Sequence, residues 1–177
     1  MDKVNTADAA TTLAGPGRTP FQAKGRLQRW ANAGILPSLG KVGGSRSSWE
    51  FDRHTVACAA ILFELYDRAG VTDPAQLKAV YAHLAEPCEP GRPPLIEEIL
   101  ADAVDGAPVL VLTQWIGPRG EPTMTICVRL DAEHAHPIMA PSDDHKPVLE
   151  GVLSLAPVLD RIIESKVIPF PTNRAAI

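Results

Sequence analysis

Apolar residues recur along the chain at two different spacings, and the spacing changes near the middle. In the first half they recur every three to four positions over residues 19–33, 53–69 and 74–84, the period of amphipathic α-helices. In the second half, residues 109–115 form an apolar run and residues 123–130 alternate, which predicts two antiparallel strands. Residues 148–155 predict a third strand, with helices at about 94–104 and from 154 or 155 to about 165. The pattern therefore predicts an α+β protein.

The clearest local signal is the start of the second helix. Thr19 at the N-cap, Pro20 at the first helical position and Gln22 three residues after the cap predict a capping box. A short helix over residues 7–14, capped by Thr6, is predicted before it. The second helix extends to about residue 33, and Gly34 ends it. It has an apolar and a polar stripe. The apolar stripe comprises Ala23, Leu27, Trp30 and Ala31, and the polar stripe comprises Gln22, Arg26, Arg29 and Ala33.

Residues 39–52 predict a small β-hairpin. Gly43 and Gly44 allow the positive backbone angles of a tight turn, and Trp49 and Phe51 alternate on the returning strand. Asp52 is then in position to cap the long apolar helix at about 53–69. That helix carries enough apolar residues to be buried on most of its sides.

A proline-rich segment separates the two halves. Residues 86–94 contain four prolines and one glycine, which neither a helix nor a central strand can accommodate. Net charge also changes sign here, from +3 over residues 1–85 to −7 over residues 86–177. We therefore expect a mostly helical domain over residues 1–86, a linker over 87–94 and a small domain with an antiparallel sheet over 95–177.

Composition narrows the class of protein. The chain has 177 residues, is 45% hydrophobic and has no apolar run long enough to cross a bilayer. Its start lacks the pattern of a secretory signal, and three widely spaced cysteines suit a reducing compartment, so we expect a cytoplasmic protein. A formal charge of −4 argues against coating nucleic acid over the whole surface. Residues 18–53, however, hold seven basic and two acidic residues, which is typical of a local phosphate-contacting surface.

The order of helix, turn, helix, hairpin, long helix and short helix resembles the DNA-binding domain of the MerR family of regulators, over residues 4–85. Residues 27–37, with Leu27, Trp30 and then Gly-Ile-Leu-Pro, match the family's leucine, aromatic and Gly-Leu-Leu-Pro pattern. Residues 43–49 match its Gly-Tyr-Arg-x-Tyr wing, with Arg46 on the arginine and Trp49 on the second aromatic. Residues 69–72 fall where the family has Leu-Gly-Phe-Ser between its third and fourth helices.

This resemblance implies a winged helix-turn-helix in a sequence-specific transcriptional regulator. Helix 19–33 would enter the major groove of duplex DNA and hairpin 39–51 would be the wing. The capped helix at Thr19 presents free amides to a phosphate. Gln22 and Arg26 are placed to reach base edges, while Arg29 and Lys24 lie nearer the backbone. The wing candidates are Lys41, Ser45 and Arg46.

Two departures limit what the resemblance implies. The step into the second helix, residues 14–18, is longer than is usual in the family. More importantly, the family dimerises through a long coiled-coil helix after the fourth helix, where this chain has its proline-rich segment and no heptad repeat. If this protein forms a homodimer, we expect the C-terminal sheet to provide the interface, because an exposed strand edge can pair across a two-fold axis.

Other functions find less support in the residues. Cys58, Cys88 and Cys127 lack metal-ligand spacing, and the loop residues around His134–His136 and Asp143–His145 form only a loose set of candidate ligands. No phosphate loop or nucleophile motif is present, so we predict no enzyme, metal or cofactor. The alternative to DNA binding is a protein-interaction adaptor that uses the acidic C-terminal domain.

Overall fold

The computed structural model describes residues 3–43, 48–87, 89–102, 108–120, 122–129, 135–137, 144, 146–163 and 165. Within these residues the chain forms helices and antiparallel sheets, which confirms the predicted α+β class. The elements, in chain order, are β1 (Lys3–Asn5), α1 (Thr6–Leu13), α2 (Pro20–Asn32), β2 (Gly40–Val42), β3 (Ser48–Asp52), α3 (Arg53–Arg68), α4 (Pro74–Ala85), α5 (Leu95–Asp102), β4 (Val109–Ile116), β5 (Pro122–Arg129), β6 (Ala135–Pro137), β7 (Lys146–Ser154) and α6 (Ala156–Ile163).

The predicted hairpin is present as β2 and β3, and β1 adds a strand that the sequence pattern did not indicate. β3 lies in the centre of this sheet, with Val4 of β1 opposite Phe51 and Lys41 of β2 opposite Trp49. The extra strand also moves the start of α1. Asn5 caps this helix, because its Oδ1 accepts the amides of residues 7 and 8. The prediction that Thr6 is the cap was therefore wrong.

Thr6 is instead the first residue of α1 and is buried. Its hydroxyl donates to the carbonyl oxygen of Trp49 at 2.7 Å, which ties the start of the helix to β3. Helix α2 begins as predicted, with Thr19 at the N-cap and a complete capping box. It ends at Asn32, followed by the C-cap Ala33 and by Gly34, whose φ of +67° favours glycine over any residue with a Cβ.

Helix α3 lies in the centre of the packed helices. Asp52 caps it as predicted, accepting the amide of Thr55 at 2.7 Å. Every residue from Thr55 to Leu65 is buried, which confirms that this helix is covered on most sides. Helix α4 also begins as predicted, at Pro74 behind the cap Asp73, and buries Leu77, Val80 and Leu84.

The second sheet has the strand order β6-β5-β4-β7, and its neighbouring strands are antiparallel. Val111 in the central strand β4 lies opposite Cys127 on one side and Val152 on the other. The predicted antiparallel pair is present as β4 and β5, and the predicted third strand is present as β7, which begins at Lys146 rather than at residue 148. β6 lies within residues 132–147, for which the sequence predicts irregular structure. The residues that flank β6 and the C-terminal tail lie outside the described residues.

The proline-rich segment is a turn rather than a spacer between two separate cores. Pro87 pairs with Pro94, and the amide of Leu95 donates to the carbonyl of Glu86 at 3.1 Å. Beyond this turn, α5 packs on α3 and α4, while α6 packs on α1 and α3. The buried apolar residues on both sides of the turn belong to one cluster. The predicted division at 87–94 therefore does not separate two hydrophobic cores.

Candidate nucleic-acid interface

Helix α2 has one face in the core and the opposite face in solvent. Ala23, Leu27 and Trp30 are buried against the rest of the protein. Because a helix turns about 100° per residue, the side chains that project opposite this stripe are those three or four positions apart beginning at residue 21. We call this set the outward face; its members are Phe21, Gly25, Gln28 and Asn32, and Lys24 lies at one margin of it.

The outward face is open and carries no acidic side chain. Phe21 is 85% exposed, an unusual position for a large apolar ring. Lys24 and Asn32 are exposed and Gln28 is half-buried. Arg29, also exposed, lies at the margin of the face. Within the described part of the chain, no hydrogen bond or ion pair engages the side chains of Lys24, Gln28, Arg29 or Asn32.

Gly25 lies at the centre of the outward face. Its backbone is helical, and a Cβ placed on it would meet no atom within 4 Å. Neither core packing nor a positive φ therefore requires glycine at this position. A glycine inside a helix costs about 0.5–1 kcal/mol relative to alanine. The glycine exposes the helix backbone between Phe21 and Gln28, as a closely approaching ligand would need.

Arg26 does not share the outward face. Its guanidinium is paired with the carboxylate of Asp67 on α3 and lies 4.1 Å from the ring centroid of Tyr66. The rings of Trp30 and Phe63 lie within 6 Å on the same side. With 17% of its side chain exposed, Arg26 joins α2 to α3. The structure thus gives this residue a packing role where the sequence analysis expected a contact with a base.

A second arginine converges on the same carboxylate. Arg18, in the turn before α2, also pairs with Asp67 and lies 3.6 Å from a carboxylate oxygen of Glu64. Its Nε donates to the carbonyl of Leu13, and its guanidinium lies 4.3 Å from the Phe63 ring centroid. We call Arg18, Arg26, Glu64 and Asp67 the arginine network. Two of the seven basic residues counted over 18–53 are therefore neutralised by acids from outside that window.

The side chains of Thr19 and Gln22 form the N-terminal cap of α2. The side-chain oxygen of Gln22 accepts from the Thr19 amide at 2.8 Å, while the Thr19 hydroxyl accepts the Gln22 amide at 3.3 Å. Both residues remain exposed to solvent. Their role in starting α2 is confirmed, and a paired contact of Gln22 with adenine would need the side-chain oxygen of Gln22 to leave this cap.

The hairpin places one predicted cation in solvent. Lys41 on β2 is exposed, and its Nζ lies 4.4 Å from the centroid of the Trp49 ring on β3. Ser45 and Arg46, the other two wing candidates, lie outside the described residues. Of the eight predicted DNA-contacting residues, Lys24, Arg29 and Lys41 are thus exposed basic side chains away from the arginine network.

Sequence reasoning passed over Phe21, Gly25 and Gln28 because it selected the polar stripe of α2 by charge. That stripe, centred near Arg26, is rotated about a quarter turn from the outward face. The signal available in the sequence was the position of the buried stripe. The face directly opposite Ala23, Leu27 and Trp30 is fixed by helix geometry alone.

Away from α2, the perturbed side chains are structural. Burial raises the pKa of the Cys58 thiol well above its usual range. Burial also raises the pKa of Tyr81 to about 12, although a hydrogen bond with Thr55 opposes the rise. No group of three or more potential metal ligands occurs in the described ranges, and His134, Asp143 and His145 lie outside them. None of the described helices is both long enough and apolar enough to span a membrane.

Comparison with known protein families, with curated proteins and with solved structures found no match to this chain.

Proposed function

We propose that this protein is a DNA-binding transcriptional regulator in which residues 3–85 form a winged helix-turn-helix. Helix α2 enters the major groove of duplex DNA, and the β2–β3 hairpin is the wing that contacts the flanking backbone. The observation that carries the proposal is the outward face of α2, which is solvent-exposed, lacks acidic side chains and is bordered by Lys24 and Arg29.

The local geometry supports this proposal in two ways. α1, the turn at residues 14–19 and α2 precede a hairpin, the order that the resemblance to the MerR family implies. A B-DNA major groove is about 12 Å wide and admits one α-helix. The arginine network fixes α2 on α3, so the outward face is presented by a rigid element.

A binding series tests the proposal. Fluorescence anisotropy with random-sequence duplexes, at about 50 mM and then about 200 mM salt, should show affinity falling steeply, because each neutralised phosphate releases counterions. Lys24→Glu and Arg29→Glu should each weaken binding to all sequences. Neutralising either residue to glutamine should lower the slope of log affinity against log salt by about one.

Lys78→Glu is the matched control for the charge reversals. Lys78 is an exposed lysine on α4, so the same charge change occurs on another helix, and its effect should be much smaller. Failure of the wild-type protein to bind any duplex at about 50 mM salt would contradict the proposal, since non-specific binding is strongest there. Equal losses in Lys78→Glu and Lys24→Glu would contradict the assignment to α2.

The C-terminal part provides the observation that favours the second candidate, a protein-interaction adaptor. Among the described strands, β7 pairs with β4 on one side only, and Val152 on this edge strand is 65% exposed. An open edge can accept a strand from another chain. Residues 86–177 also carry a net charge of −7, which is unsuited to contact with phosphates. Indifference to DNA together with specific capture of a partner through β7 would favour the adaptor.

A further inference from the structure

We infer that the outward face of α2 recognises A·T base pairs in the major groove, with Phe21 against a thymine methyl group and Gln28 on an adenine. This inference rests on the proposed DNA binding and specifies which face and which base pairs are involved. It assigns base recognition to residues that lie about a quarter turn from Gln22 and Arg26.

The shape of the face supports close contact with a groove floor. Phe21, Gly25 and Gln28 lie in sequence along one line of the helix, with the glycine between two longer side chains. At Gly25 nothing within 4 Å occupies the space where a Cβ would lie. The helix backbone can therefore approach a base edge more closely than it could with alanine at position 25. Close approach explains why glycine is present there although it destabilises the helix.

The chemistry of the face matches A·T pairs. In the major groove, thymine presents a C5 methyl group that apolar side chains contact, and adenine presents an N6–N7 pair that an amide can bond twice. Phe21 offers an apolar ring that is 85% exposed, while Gln28 and Asn32 offer amides with no bonding partner in the described part of the chain. Guanine recognition favours arginine or lysine; Arg26 is held by Asp67, and Lys24 and Arg29 lie at the margins of the face rather than at its centre.

The charges around the outward face favour DNA over a protein as the ligand of this face. Lys24 and Arg29 lie on either side of the apolar and amide groups, and α2 has no acidic residue that would repel phosphates. A protein-docking helix more often carries several apolar anchors at spacings of three and four. Phe21 is the single large apolar side chain on this face.

The experiment begins with a duplex selected from a random-sequence pool by the wild-type protein. Each thymine is then replaced singly by deoxyuridine, which removes only the C5 methyl group. At one position or more, we expect affinity for wild type to fall about fourfold, equivalent to about 0.8 kcal/mol for a buried methyl-sized group. With Phe21→Ala, the same replacement should have no effect, as a double-mutant cycle requires for a direct contact.

Gly25→Ala separates recognition from folding. Alanine should raise the midpoint of unfolding and yet weaken binding of the selected duplex by about tenfold, equal to about 1.4 kcal/mol. Gly25→Leu should weaken it further, because it adds more volume at the same point. Gln28→Ala should lose discrimination at an adenine. The matched control for Gln28→Ala is Gln76→Ala, which removes a glutamine amide from another helix, α4.

Three contrary results would each overturn the inference, and each would identify a different error. If wild type binds DNA but the α2 variants bind and select sequences as the controls do, the face is wrong and DNA binding stands. If wild type binds no duplex, both proposals fail. If wild type is a dimer that Phe21→Ala or Gly25→Leu dissociates, the face mediates self-association.

Discussion

The arginine network leads to a prediction about Asp67, whose carboxylate joins two arginines from two parts of the chain. Asp67→Asn preserves shape and removes the charge. Arg18 retains Glu64 and the Leu13 carbonyl, whereas Arg26 loses its anionic partner among the described residues. The side chains of Arg18 and Arg26 are 6% and 17% exposed, and that of Asp67 is 31% exposed. The cost therefore falls between those of a buried and an exposed ion pair.

Breaking a buried pair costs about 3–5 kcal/mol, and an exposed pair contributes about 0–1 kcal/mol. For this partly exposed site we expect Asp67→Asn to lower the free energy of unfolding by about 2 kcal/mol. In a chain of this size that corresponds to a fall in Tm of about 4–8 °C. Thermal and urea unfolding followed by circular dichroism measure both quantities.

A double-mutant cycle with Arg26→Met tests the reasoning, because methionine retains the packing on Tyr66 and Phe63 without the charge. The coupling energy between the two positions should be about 1 kcal/mol or more. An unchanged Tm in Asp67→Asn would refute the view that the network stabilises the fold. A folded Arg26→Met protein that bound DNA about tenfold more weakly would instead favour the direct DNA contact expected from the sequence.

Three further predictions follow from the packing. Thr19→Ala should cost about 1 kcal/mol of stability, because the cap of α2 is lost; chemical denaturation measures this. Tyr81 has a pKa near 12 in the folded protein and about 10 in the unfolded chain. The stability that the neutral phenol contributes is therefore complete below about pH 10 and is lost as the pH rises towards 12. Tyr81→Phe, which cannot ionise, should show a smaller fall in Tm between pH 10 and pH 12. Residues 1–86 alone should lack a cooperative unfolding transition, since their core is completed by α5 and α6; a sharp calorimetric transition would contradict this.

In the α2–α3 region the local signals of the sequence are confirmed, whereas the long-range ion pair of Arg26 was not predicted. A cap such as Thr19 with Gln22 acts within one helical turn, so the sequence predicts it directly. The partner of Arg26 lies 41 residues away on α3. Periodicity cannot show that an acid so distant in sequence faces a given stripe. The same reason explains the missed strand β1, which among the described strands pairs with β3, a strand more than 40 residues away in the sequence.

The sequence by itself determined the starts of α2, α3 and α4, the apolar stripe of α2 and the concentration of positive charge near that helix. These properties depend on neighbours within a few residues, through caps, turns and periodicity. Only the tertiary structure decided which cations are free to act. Arg18 and Arg26 pair with the carboxylate of Asp67 and pack on aromatic rings of α3. The face of α2 that remains towards solvent carries Phe21, Gly25 and Gln28. Ion pairing and ring packing depend on which surfaces meet, and that is settled when the whole chain packs around α3.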